Sequence, residues 1–240
     1  MKRLLITCTA LSLCACLSAC TPAQKTEQKP VESASASVAT SAPSAANIPA
    51  GDYKTDPAHT SLTFTVNHLS YSHYMARFGS IDAHLKLDPT HPETAALNVT
   101  IDPKSLELNA PPKGFHDEMM GKMFFDAAAF PKITYTSTKI DMTGANTANV
   151  TGNLTLHGVT QPVTLAVTFN GGYPGLAGMD PNARIGFSAK GTLKRSLFGM
   201  GYGIPAPGTT MGVGDDVDFT IETEMTGPAL KTPALKTTEK

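Results

Sequence analysis

The residues through which this chain could do chemistry are seven histidines, a serine set among glycines, a glycine-rich loop, four cysteines and two arginines at apolar strand ends. His59, His68, His73, His84, His91, His116 and His157 would be the ligands of a metal centre or the base of a hydrolase. None shows the two-on-one-helix-face spacing of zinc hydrolases, His116-Asp-Glu does not match His-Glu-x-x-His, and no cysteine accompanies them. The expected metal set is therefore none. Gly186-Phe-Ser188-Ala-Lys-Gly191 is one residue off the Gly-x-Ser-x-Gly nucleophile elbow and sits in a strand pattern, without the strand-to-helix turn that exposes the hydroxyl. Gly199-Met-Gly-Tyr-Gly203 runs into Pro205 and Pro207 instead of a helix, which makes it a loop and not a dinucleotide site. No catalytic residue and no catalytic cofactor is expected. Arg77 and Arg195 are the candidates for holding a phosphate by bidentate bonds.

The cysteines point away from the domain. Cys8, Cys14, Cys16 and Cys20 all lie in the first twenty residues, leaving the rest of the chain without disulfide, thiolate or cysteine nucleophile. Met1-Lys2-Arg3 followed by the apolar run Leu4 to Leu17 has the charged and apolar regions of an export signal, too short for a comfortable membrane span. It ends in Leu17-Ser18-Ala19-Cys20, which looks like a bacterial lipobox. Residues 1–19 then read as a lipoprotein signal peptide, Cys20 as the acylated residue and membrane anchor, and residues 20–50, poor in large apolar side chains, as a disordered tether. Thr21 after the cysteine is compatible with outer-membrane sorting, facing the periplasm or the cell surface. The repeat in residues 228–240 reads as a disordered tail, which leaves 51–227 as one domain. A formal net charge of −1 carries no footprint for nucleic acid.

The elements of that domain are read from period two. Val150, Gly152, Leu154 and Leu156 share one face, and after Gly158-Val-Thr-Gln-Pro162 the alternation resumes at Val163, Leu165, Val167 and Phe169. Two antiparallel strands about a turn follow. Leu62, Phe64 and Val66 mark the first strand, after turn chemistry at Asp56-Pro57, and Leu69 to Tyr74 reads as a loop at a barrel mouth. Phe78 to Leu87, Leu97 to Ile101, Ile133 to Ile140, Arg184 to Leu193 and Asp216 to Met225 supply the rest. Phe115, Met119, Met120 and Met123 recur at helical spacing and predict one amphipathic helix ending near Pro131. The fold class is all-β: roughly eight to nine antiparallel strands and one helix, which as an eight-stranded closed barrel would be either packed solid or wide enough for one slender ligand. On the residues alone, the inward apolar positions favour core over pore.

Four ordered motifs decide between these. Tyr53-x-x-Asp56-Pro57-x-His59 with Phe64-x-Val66-x-His68, Phe124-Phe125-Asp126 with Phe130-Pro131, Gly152-Asn-Leu-Thr-Leu-His-Gly-Val-Thr-Gln-Pro-Val163, and Gly186-Phe-Ser-Ala with Arg195-Ser196-x-Phe198-Gly199-Met200 together resemble the YceI-like family of periplasmic polyisoprenoid-binding proteins. The resemblance implies an antiparallel eight-stranded lipocalin-like barrel whose long apolar pore holds an isoprenoid or fatty chain, such as a polyprenyl phosphate or a quinone tail. It turns Phe64, Val66, Phe78, Tyr135, Leu154, Leu156, Phe187 and Phe198 into pore candidates. Met119, Met120, Met123 and Phe124 become lid candidates, and methionine suits closure over a flexible chain. His59 and His68 join Arg77 and Arg195 as headgroup candidates. Two other readings compete: a packed barrel serving as an interaction lipoprotein, and an enzyme acting on such a lipid, which would need a pore-facing histidine beside an orienting carboxylate.

Overall fold

The structure, a computed structural model, describes residues 47–230. The signal peptide, Cys20, the tether to residue 46 and the tail from residue 231 lie outside the described residues. Ten strands follow in order: β1 Gly51–His68, β2 Ser72–Phe78, β3 Ile81–Leu87, β4 Ala96–Ile101, β5 Leu106–Leu108, β6 Ile133–Met142, β7 Thr147–Leu156, β8 Val159–Tyr173, β9 Asn182–Lys194 and β10 Val213–Ala229. Every ladder is antiparallel, and the pairing of β10 with β1 closes the sheet.

Ten strands make an eight-stranded barrel because two of its staves are broken. The second half of β1 pairs with β2 (Leu62 opposite Phe78) and its first half with β3 (Gly51 opposite Leu87), so β2 and β3 form one stave kinked at Gly79-Ser80. Phe78 therefore ends β2 and does not begin the following strand, as the alternation alone suggested. β4 and β5 form the next broken stave, pairing with β3 and β2 respectively. The ring continues through β6, β7, β8, β9 and β10. It abolishes exposed edges except at one place: β4 pairs onward with β6, whereas the ladder found for β5 among the described residues is with β2. The barrel wall splays there, at the end marked by His68, here termed the mouth; the Gly51 end is the base.

The segment Asn109–Lys132 crosses this gap. It holds the single α-helix among the described residues, α1, but only over Phe115–Met119. The sequence predicts a helix running on towards Pro131; instead the chain folds back, with Phe125 N–H on the Met119 carbonyl at 3.1 Å and Asp126 N–H on the Gly121 carbonyl at 2.9 Å. Gly121 weakens propagation, and folding back buries Phe125 against Phe78, ring centroids 5.7 Å apart. Tertiary burial outweighs a few residues of helical periodicity.

Four further expectations shift. β1 starts at Gly51, well before Leu62: the Asp56-Pro57 turn chemistry is spent on a bulge, Asp56–His59, opposite Glu224. The β7–β8 turn is the two-residue His157-Gly158, with φ of +50° and +75°, and Val159 to Pro162 belong to the ladder. Ile48, in the stretch read as tether, is buried, and the Tyr53 hydroxyl donates to the Pro49 carbonyl at 2.6 Å, pinning this stretch to the base. Pro228 and Ala229 likewise finish β10.

A candidate lipid-sized cavity

Inward residues alternate along each stave, yet their tips do not meet. Buried side chains form two separate clusters. One, nearer the mouth, is built on Phe78, Leu106, Phe125, Tyr135, Leu154 and Phe198; the other, at the base, on Ile48, Tyr53, Leu85, Ile185 and Met225. Between and beside them runs a cavity of about 910 Å³. Its lining reaches from His68 and Val213 at the mouth to Met142, Asn146 and Met225 at the base. From Val213 to Met225 the strand covers about 40 Å at roughly 3.3 Å per residue, which a tilt of about 40° reduces to about 30 Å along the barrel axis.

Most pore candidates line this cavity. Phe64, Val66, Phe78, Tyr135, Leu154, Leu156 and Phe187 do so, together with Met119 and Phe124 from the crossing segment. Three do not. Phe198 is buried in the wall, 1% exposed, with its carbonyl 3.0 Å from His157 Nδ1. Met120 packs against the core from behind, and Met123 is 49% exposed. The helical spacing put these residues on one face, but the chain reverses after Met119, so the face is not maintained. Leu165, Val167, Val217, Phe219 and Ile221 also line the cavity. Strand parity alone marks them, since they share faces with residues already recognised as inward.

Tyr135 illustrates how the wall is kept apolar. Its ring lies over Gly152, where a Cβ would come within 2.4 Å of it. Its hydroxyl reaches the carbonyls of Val150 at 3.0 Å and Val163 at 3.3 Å, and burial pushes its pKa up to about 12. The phenol is thus neutral and hydrogen-bonded within the wall. Thr60 and Thr223, which also line the cavity, bond each other at 2.8 Å across the β1–β10 ladder.

The headgroup candidates divide. His68 lines the mouth and is exposed. Arg195 also borders the cavity, but it is 7% exposed and its guanidinium is taken up by main chain: Nε donates to the Gly214 carbonyl, Nη1 to those of Met200 and Tyr202, and Nη2 to that of Val213, all at 2.7–2.9 Å. It fastens the loop between Phe198 and Val213 over the mouth, where Tyr202 meets Phe124 edge-on at 5.6 Å. Arg77 and His59 stand outside the cavity. Arg77 pairs with Glu107 at 2.5 Å, both half exposed. His59 pairs with Asp56 at 3.0 Å on the outer surface. There Asp56, His59 and Glu224 approach within 4.8 Å of one another. Arg184 already occupies Asp56 of this group, 2.6 Å away, while also pairing with Asp180 at 2.5 Å, and its hydrogen bond holds Asp56 down at about 2. The other histidine–carboxylate pairs, His84–Asp82, His91–Asp88 and His116–Asp117, also have exposed side chains and lie outside the cavity lining.

Residues 53–225 match the model of the YceI-like domain family. A UPF0312 protein of Pseudomonas fluorescens is 35% identical over 193 residues, covering 79% of this chain and 94% of that relative. Among solved structures, BcnA of Burkholderia cenocepacia superposes with a TM-score of 0.58 at 28% identity, over 71% of this chain and 98% of that one. A polyisoprenoid-binding domain from Saccharophagus degradans, implicated in plant cell wall breakdown, superposes with a TM-score of 0.55 at 14% identity, over 75% of this chain and 100% of that one.

Proposed function

The chain belongs to the YceI-like family, and from that premise we propose that it binds one long isoprenoid-like amphiphile inside its barrel, to carry, store or sequester it in the cell envelope. The observation that carries this reading is the cavity itself, about 910 Å³, within the range of ligand sites. Aliphatic and aromatic side chains make up nearly all of its wall, and apolar cavities offer water too few partners to hold it. Each CH₂ moved from water into such a wall contributes about 0.8 kcal/mol. A chain can therefore bind tightly without a specific polar contact.

Length argues for an isoprenoid over an ordinary fatty chain. The lining path of about 30 Å matches a whole bilayer hydrocarbon core, whereas the acyl chain of one leaflet covers about half of that. A neighbour of the same fold binds polyisoprenoid; at 14% identity it speaks for the architecture, and the ligand assignment rests on the cavity. The lipobox-like Leu17-Ser-Ala-Cys20 supports placing the barrel on a membrane by an acylated Cys20, on the outer membrane given Thr21.

The test is native mass spectrometry with organic extraction of protein purified without detergent from a bacterial envelope. A stoichiometric amphiphile released on denaturation is the expected result. A bare mass, with no uptake of added quinone or polyprenol, would overturn the proposal in favour of an empty interaction module.

A further inference from the structure

The charges around the cavity bear on which headgroup it accepts. At the base, the polar lining is largely bonded locally: the Asn146 amide donates to the Phe169 carbonyl at 3.3 Å, and Thr147, which keeps its own proton, accepts from the Thr143 hydroxyl at 2.9 Å. At the mouth it is not. The Tyr74 oxygen accepts the Asn109 N–H at 3.1 Å and keeps its own proton to donate. The His68 ring and the Tyr202 hydroxyl, both on the lining, make no hydrogen bond to another described residue. These are hydrogen-bonding groups at an end where a headgroup can stay near water, since His68 and Tyr202 are both exposed.

No arginine or lysine is free on that lining. Arg195 is the one arginine or lysine on the lining, and four main-chain carbonyls hold it. Glu118 borders the same mouth. The crossing segment from Asn109 to Phe130 carries Lys113 and Lys122 against Asp117, Glu118 and Asp126, and the loop from Ser196 to Gly212 carries no charge. A phosphate drawn in behind the chain would lose hydration with no lysine or arginine on the lining free to replace it and a carboxylate nearby.

We propose that the mouth selects an uncharged, hydrogen-bonding headgroup, such as a polyprenol hydroxyl, a quinone carbonyl or a primary amide, and discriminates against the phosphate of the same chain. This rests on the lipid-binding reading, and the experiment separates the two. The full chain, at neutral pH, is loaded with an environment-sensitive fluorescent fatty probe; the absence of tryptophan keeps the protein's own emission low. Geranylgeraniol and geranylgeranyl monophosphate then compete for it. The alcohol is expected to displace the probe at about tenfold lower concentration or better, the scale of one unmatched charge at a part-exposed site. Phosphate competing equally or more strongly overturns the headgroup assignment while leaving lipid binding intact. Failure of probe, alcohol and phosphate alike overturns lipid binding itself. Glu118→Lys and Asn109→Arg, which bring a cation to the rim, are expected to move the phosphate-to-alcohol ratio at least about tenfold towards phosphate; an unmoved ratio in both means that the headgroup does not sit at this mouth.

Discussion

Replacing Arg195 by methionine keeps the stem of the side chain and removes every donor. Four carbonyls, those of Met200, Tyr202, Val213 and Gly214, lose their partner together. An orphaned buried acceptor costs about 1–3 kcal/mol. The Met200 bond is fully buried, while the other three are part-buried, so water can take over some of them. Lower values apply there, and part of the loss is offset because the guanidinium no longer pays desolvation, which in the native protein pulls its pKa down. The net expectation is about 2–4 kcal/mol of destabilisation, or about 5–15 °C in melting temperature for a domain of this size. The loss should be local as well as global: amide exchange should quicken across Ser196 to Gly212 before the β7–β8 hairpin responds. Arg195→Lys should behave similarly, because three ammonium donors on a single nitrogen cannot span carbonyls that the planar fork reaches from three nitrogens. Thermal melting with hydrogen-exchange mass spectrometry reads both effects. A melting temperature within about 2 °C of the parent, with loop exchange unchanged, would refute the view of Arg195 as the fastener of the mouth.

Three other perturbations follow from the geometry. Gly152→Val drives a side chain into the Tyr135 ring and to within 2.6 Å of the Thr136 carbonyl at its Cβ, and should cost about 2 kcal/mol or more in urea unfolding; a neutral result would mean that the ring moves aside freely. Ala189→Phe projects into the cavity from between its ladder partners Val167 and Ile221, and should abolish amphiphile uptake in native mass spectra without lowering the melting temperature; full uptake would place the ligand elsewhere. Asp56, held at about 2 by Arg184 against an ordinary 3.8, favours the folded state at all pH values above 3.8, and this contribution is lost as pH falls through the folded value. Asp56→Asn should therefore destabilise at neutral pH and flatten the stability curve between those two values; an unchanged acid limb in pH-dependent denaturation would contradict the pairing.

The strands were legible because their signal is local. In Val150 to Leu156 and Val163 to Phe169, each inward residue is two positions from the next, and water on the outer face enforces the alternation wherever the strand lies. Gly152 within that run, and the Arg195 to Met200 motif, also pointed to the right family. The crossing segment was less legible. Phe115 and Met119 do face the cavity as their spacing suggests, but the position of Met123 depends on a chain reversal fixed by burial of Phe125, which no periodicity records.

What the sequence by itself determined is the inward and outward parity of the strands, hence an all-β barrel with an apolar interior, and the family to which it belongs. Only the tertiary structure decided whether that interior is solid. Barrel radius depends on how many staves close and how they stagger, a property of the whole ring and of no single strand, so identical faces can meet or leave about 910 Å³ between them. It likewise decided the fate of Arg195 and His68, alike as polar residues at strand ends in the sequence. The carbonyls that hold the arginine lie five to nineteen positions away, brought there by loop closure, while the histidine ring is left exposed at the mouth.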